Sequence, residues 1–122
     1  MSCLFNSMSH FIKEDGGPNG IRQRICDYLE KNLPILEGME TCDVLQLEAP
    51  TAAHYISKMR KSSTWGGAIE IQCACNLWYL CIKIKNYRDN NGKIIEFIPC
   101  NNNYDKTIYL YWTGGHYEPI KF

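Results

Sequence analysis

Hydrophobic residues recur at three- and four-residue intervals over residues 3–12, where Leu4, Phe5, Met8, Phe11 and Ile12 follow a helical period. The spacing predicts an amphipathic helix that begins at Cys3. Asp15, Gly16, Gly17, Pro18, Asn19 and Gly20 then form a turn-rich break, after which Ile21, Ile25, Tyr28 and Leu29 mark a second helix stopping near Pro34. Residues 35–50 are acidic and weakly periodic and read as a surface loop or irregular helix. Thr51 suits the N-cap of a short helix carrying Ala52, Tyr55, Ile56 and Met59, with Lys58, Arg60 and Lys61 at the end where cations suit the helix dipole. Gly66 and Gly67 read as a turn, with Trp65 as a core anchor beside it, leading into an apolar helix that runs to about residue 77.

Past that point the period shortens. Residues 79–84, 94–98, 107–112 and 117–120 read as strands between Asn, Asp and Gly clusters, with a hairpin turn around Asn90, Asn91 and Gly92. Helices first and closely spaced strands afterwards predict an α+β arrangement rather than a βαβ repeat. A chain of 122 residues without internal repeats reads as one domain, 1–122.

Composition narrows the function. Thirteen Lys and Arg balance thirteen Asp and Glu, so no long-range positive field gathers phosphates, and nucleic acid is not an expected partner. No run of about eighteen apolar residues is present, and the N-terminus lacks a basic segment followed by an apolar one. The expectation is a monomer in the cytosol, with or without the nucleus, and not on a membrane. Seven cysteines, an odd number without an export signal, are expected to be mostly reduced thiols. Cys26, Cys73, Cys75, Cys81 and Cys100 lie among apolar residues, where a free cysteine acts as a small hydrophobe. Cys73 and Cys75 have no second Cys or His pair at zinc-ligand spacing, so neither a metal nor another cofactor is expected.

Cys3 differs from these cysteines by opening a helix, where backbone N–H groups favour the thiolate. A thiol nucleophile needs a base from elsewhere in the chain, and His116 fits: it follows Gly114 and Gly115 and enters the last strand between Trp112 and Tyr117. Glu118 lies two residues on, shares its strand face, and is within reach of the second imidazole nitrogen. On spacing alone, a surface thiol and an exposed turn histidine account for the same residues. His10 and His54 read as surface residues.

The segment Cys3, Leu4, Phe5, Asn6, Ser7 resembles the nucleophile motif of the ovarian-tumour (OTU) cysteine peptidases, in which Cys-Leu-Phe begins the central helix. Ile21, Arg22, Ile25, Tyr28 and Asn32 are similar to that family's second helix. Tyr55, Ile56, Met59, Trp65, Gly66, Gly67 and Glu70 resemble its Tyr, Met, Trp-Gly-Gly and Glu series, and Ile108, Leu110, His116 and Tyr117 its terminal strand and His-Tyr pair. The shared order spans nearly the whole chain. The resemblance implies a papain-like OTU fold, with helices against a small mostly antiparallel sheet, and a deubiquitinase with catalytic Cys3 and His116, to which the strand spacing adds Glu118 as the third catalytic residue. Its partners would be ubiquitin, ubiquitin chains or conjugates of a ubiquitin-like modifier. Family members usually carry Asp-Gly-Asn before the nucleophile, whereas Met1 and Ser2 precede Cys3 here. The alternatives are an OTU-like module that binds ubiquitin without cleaving it, and a small metal-binding domain. The brevity of the chain resembles minimal OTU proteins of viral origin.

Overall fold

Local chemistry sets the element boundaries in a computed structural model of the chain, which describes residues 3–86, 93–114 and 116–120. The first helix, α1 (Cys3–Met8), is shorter than its apolar period suggests. Ser9 Oγ turns back to the Asn6 carbonyl at 2.6 Å, a bond that competes with helix continuation, yet Ile12 still reaches the core through the turn that follows. The second helix, α2 (Gly17–Glu30), starts inside the stretch that reads as a turn. Pro18 lies in its first turn, where the missing N–H is of no consequence, so the Pro-Gly cluster initiates the helix instead of delaying it.

A short helix, α3 (Thr41–Gln46), occupies part of the acidic segment. Asn32, just past α2 at φ 55°, accepts the Cys42 N–H with its side chain at 3.2 Å and so satisfies a donor in the first turn of α3. Ile35, Val44 and Leu45 send this segment's apolar side chains into the core. In α4 (Ala52–Met59) the N-cap is Thr51, whose hydroxyl accepts the His54 N–H at 3.0 Å. The apolar α5 (Ala68–Trp78) follows, with Ile71, Cys73, Ala74 and Cys75 buried.

Four strands make one sheet: β1 (Leu80–Asn86), β2 (Ile94–Phe97), β3 (Lys106–Trp112) and β4 (Tyr117–Ile120), in the order β2-β1-β3-β4. The outer pairings are antiparallel and the central β1–β3 pairing is parallel, with Ile82 opposite Ile108 and Ile84 opposite Leu110. These four side chains are buried on the face covered by the helices, together with Leu4, Phe5 and Met8 of α1. The expected turn at Asn90, Asn91 and Gly92 lies outside the described residues, although the strands on either side of it pair antiparallel.

Two core assignments are corrected. Cys26, Cys73, Cys75 and Cys81 are buried, but Cys100 is only half-buried, its sulfur 2.9 Å from the Ile35 carbonyl. Trp65 is 49% exposed and anchors nothing in the core. The contact belongs to Gly66 instead: a Cβ there would stand 2.8 Å from Leu4 Cδ2 and 3.0 Å from the Phe5 ring, so the backbone packs directly on α1 and leaves the indole outside.

Candidate active site

The first helix and the last strand build one groove. Cys3, Asn6 and Ser7 of α1 and the following His10 line one side, and His116, Tyr117, Glu118 and Pro119 line the other. All three residues singled out in the sequence therefore meet, and His10, read as a plain surface residue, is exposed within the same groove.

Behind Cys3, α1 is fixed by burial. Phe5 is fully buried, and the Arg22 guanidinium stacks on its ring 4.2 Å from the centroid. Arg22, itself 1% exposed, donates to the Met59 carbonyl at 2.8 Å. Glu70 is equally buried and accepts from the Tyr55 hydroxyl at 2.6 Å and from the Gly67 N–H at 2.7 Å. The second bond is a glutamate at N3 reaching back to its helix N-cap, and it anchors the loop whose Gly66 touches α1. Burial holds the Glu70 carboxyl above the usual carboxylate range, against the opposing pull of Tyr55, the Gly67 N–H and Arg22.

Across the groove, Gly114 turns the chain at φ 102° and His116 leads into β4. The His116 carbonyl accepts from the Thr113 N–H at 3.0 Å, closing the β3–β4 connection. Its Nε2 stands 3.4 Å from Glu118 Oε1, and both side chains are about half exposed. A carboxylate at that distance is placed to steady an imidazolium. Tyr117 points to the other face, against the core. Burial is the main cause that pushes its phenol pKa up.

A thiol on one wall and an imidazole beside a carboxylate on the other are the parts needed for acyl transfer through a thioester. A sequence profile of the OTU-like cysteine proteases matches residues 2–117. The chain belongs to this family. Among relatives, ubiquitin thioesterase OTU1 of Xenopus laevis is 26% identical over 125 residues, covering 98% of this chain and 38% of that protein. The OTU1 of Mus musculus is 28% identical over 123 residues, covering 98% and 33%. The chain thus spans between about a third and two fifths of the length of these relatives.

The OTU fold is shared with solved structures. An ovarian-tumour domain in complex with ubiquitin superposes with a TM-score of 0.75 at 21% identity, covering 97% of this chain and 62% of that one. The OTU deubiquitinase of Wolbachia pipientis wMel bound to ubiquitin gives 0.68 at 16% identity, with 98% and 89% covered. The OTU protease of Dera Ghazi Khan virus gives 0.68 at 18%, with 98% and 76% covered. The chain has the α+β fold expected of the OTU-like cysteine proteases. Among its described residues no helix is long and apolar enough to cross a membrane.

Within this OTU domain, sequence reasoning missed the joint between the two walls. Ser7 donates from Oγ to the Tyr117 carbonyl at 2.8 Å. Ser7 is part of the nucleophile segment and Tyr117 of the His-Tyr pair, but no local pattern signals that a side chain of one meets the backbone of the other.

Proposed function

We propose that this chain is a thiol-dependent hydrolase cleaving the peptide or isopeptide bond after the C-terminal glycine of ubiquitin or a ubiquitin-like modifier. What carries the reading is the common groove of Cys3 and the His116–Glu118 pair in a chain of the OTU family. The Cys3 thiol gives its proton to His116, and the thiolate so formed adds to the glycine carbonyl carbon. The imidazolium returns that proton to the leaving amine as the carbon–nitrogen bond breaks, and a thioester remains. Water, deprotonated by His116, then attacks the thioester, and the thiol is regenerated as the carboxylate leaves. Glu118 steadies the imidazolium.

A protein substrate is also consistent with the surface around α3. Leu33, Leu36, Met39 and Leu47 are exposed there among Glu37, Glu40, Asp43 and Glu48, an apolar and acidic face suited to a partner whose apolar face is bordered by basic side chains.

The test is reaction with ubiquitin carrying a C-terminal electrophile, read by intact mass. The expected result is a ubiquitin-sized adduct on the wild type, none on Cys3→Ala, and labelling slowed by on the order of a hundredfold on His116→Ala. A folded wild type that forms no adduct but binds ubiquitin would replace the hydrolase reading with that of a binding module.

A further inference from the structure

Ser7 follows Cys3 by one helical turn on the same side of α1 and is 2% exposed. The carbonyl it reaches belongs to Tyr117, the residue after His116. β4 is an edge strand, so its outward carbonyls have no ladder partner, and Ser7 provides one. On its other side, the His116 carbonyl is held by the N–H and hydroxyl of Thr113, at 3.0 and 3.3 Å. Leu4, Phe5 and Met8, with Arg22 stacked on Phe5 and Gly66 packed against Leu4 and Phe5, hold α1 on the core and on the helices behind it, and the Ser7 bond adds a contact aimed at β4 itself. A hydrogen bond is directional, so this contact fixes where α1 sits along β4.

We propose that Ser7 is a positioning residue that sets the distance from the Cys3 sulfur to the His116 imidazole by locking α1 onto β4. The inference rests on the cysteine–histidine reading above and extends it to the residue joining its two halves. Ser7 touches no substrate; it acts through His116.

Alkylation of Cys3 by iodoacetamide at neutral pH, located by peptide mass spectrometry on the intact folded chain, tests this without a ubiquitin substrate. Ser7→Ala is expected to slow Cys3 alkylation on the order of tenfold. Ser7→Thr, which keeps the hydroxyl, is expected to stay within about threefold of wild type. In a His116→Ala background, Ser7→Ala is expected to change the rate by less than about twofold, because there is no imidazole left to position. Equal slowing in both backgrounds, or none in either, overturns the proposal. If Ser7→Ala loses its melting transition, Ser7→Cys, of similar shape and a weaker donor, takes its place in the same cycle. The ubiquitin probe, run in parallel, separates the two claims. Coupled alkylation without a ubiquitin adduct removes the substrate reading and keeps Ser7; an adduct formed at the wild-type rate by Ser7→Ala removes Ser7 and keeps the substrate. His116→Ala without effect on alkylation overturns the Ser7 proposal, and the substrate reading then stands or falls by the ubiquitin adduct.

Discussion

At the scale of single residues, burial divides the cysteines into two chemical classes. Burial pushes the thiol pKa of Cys26 up to about 11 and that of Cys75 up to about 12, and raises Cys73 and Cys81 in the same direction. At pH 8 these four stay protonated as well as inaccessible. Brief iodoacetamide treatment of the native protein is expected to modify only Cys3, Cys42 and Cys100, the half-buried set, and all seven once the chain is denatured. The same shifts fix a sign for stability. A thiol that ionises near 9.0 when unfolded and near 11 when folded binds its proton more tightly in the native state. Its stabilising effect is complete below pH 9 and disappears as the pH rises through 11, so urea midpoints at pH 8 and pH 11 should differ, with the higher pH weaker. Apolar neighbours in the sequence were enough to class Cys26, Cys73, Cys75 and Cys81 as core. They misled for Cys100, whose place is set by the Asn76 side chain accepting its N–H at 2.9 Å, a contact across 24 positions.

Among the elements, those with a complete local code were legible. Thr51 and the four apolar residues after it defined α4, and the alternation in residues 107–112 defined β3 almost to its ends. α3 was not, because its first turn is capped by Asn32 from the far end of α2 and its burial depends on Ile35 and Leu45 finding a core made by other elements. The loop before α5 holds its shape for a similarly distant reason. Glu70 ties that loop down, and its partners come from α4 and from the chain before α5. Replacing Glu70 by Ala leaves the Tyr55 hydroxyl and the Gly67 N–H without their acceptor. The expected loss is about 3–5 kcal/mol by urea denaturation, with Glu70→Gln, which keeps one carbonyl oxygen, losing less. An unchanged midpoint for the alanine variant would show that water or a shifted side chain replaces the carboxylate.

For the molecule as a whole, the order of helices before strands was readable, and so was the pairing of Cys3 with His116 as candidates, because the OTU-like motifs keep their order along the chain. The parallel pairing of β1 with β3 was not, since nothing local to either strand states its direction relative to a strand more than twenty residues away. That pairing places β3 at the centre and lets it carry β4 to α1. The groove thus depends on contacts more than a hundred positions apart, the Ser7 to Tyr117 bond among them. In a urea titration, labelling by the ubiquitin probe should therefore be lost at or below the midpoint of global unfolding seen by Trp fluorescence; labelling that outlasts the fluorescence change would mean that the site survives without the sheet. One wall of the groove comes from residues 3–10 and the other from residues 116–119, so the first is synthesised long before the second. A nascent chain still holding residues 116–119 inside the ribosome has its Cys3 thiol without His116, so the proposed protease stays silent until β4 emerges and docks.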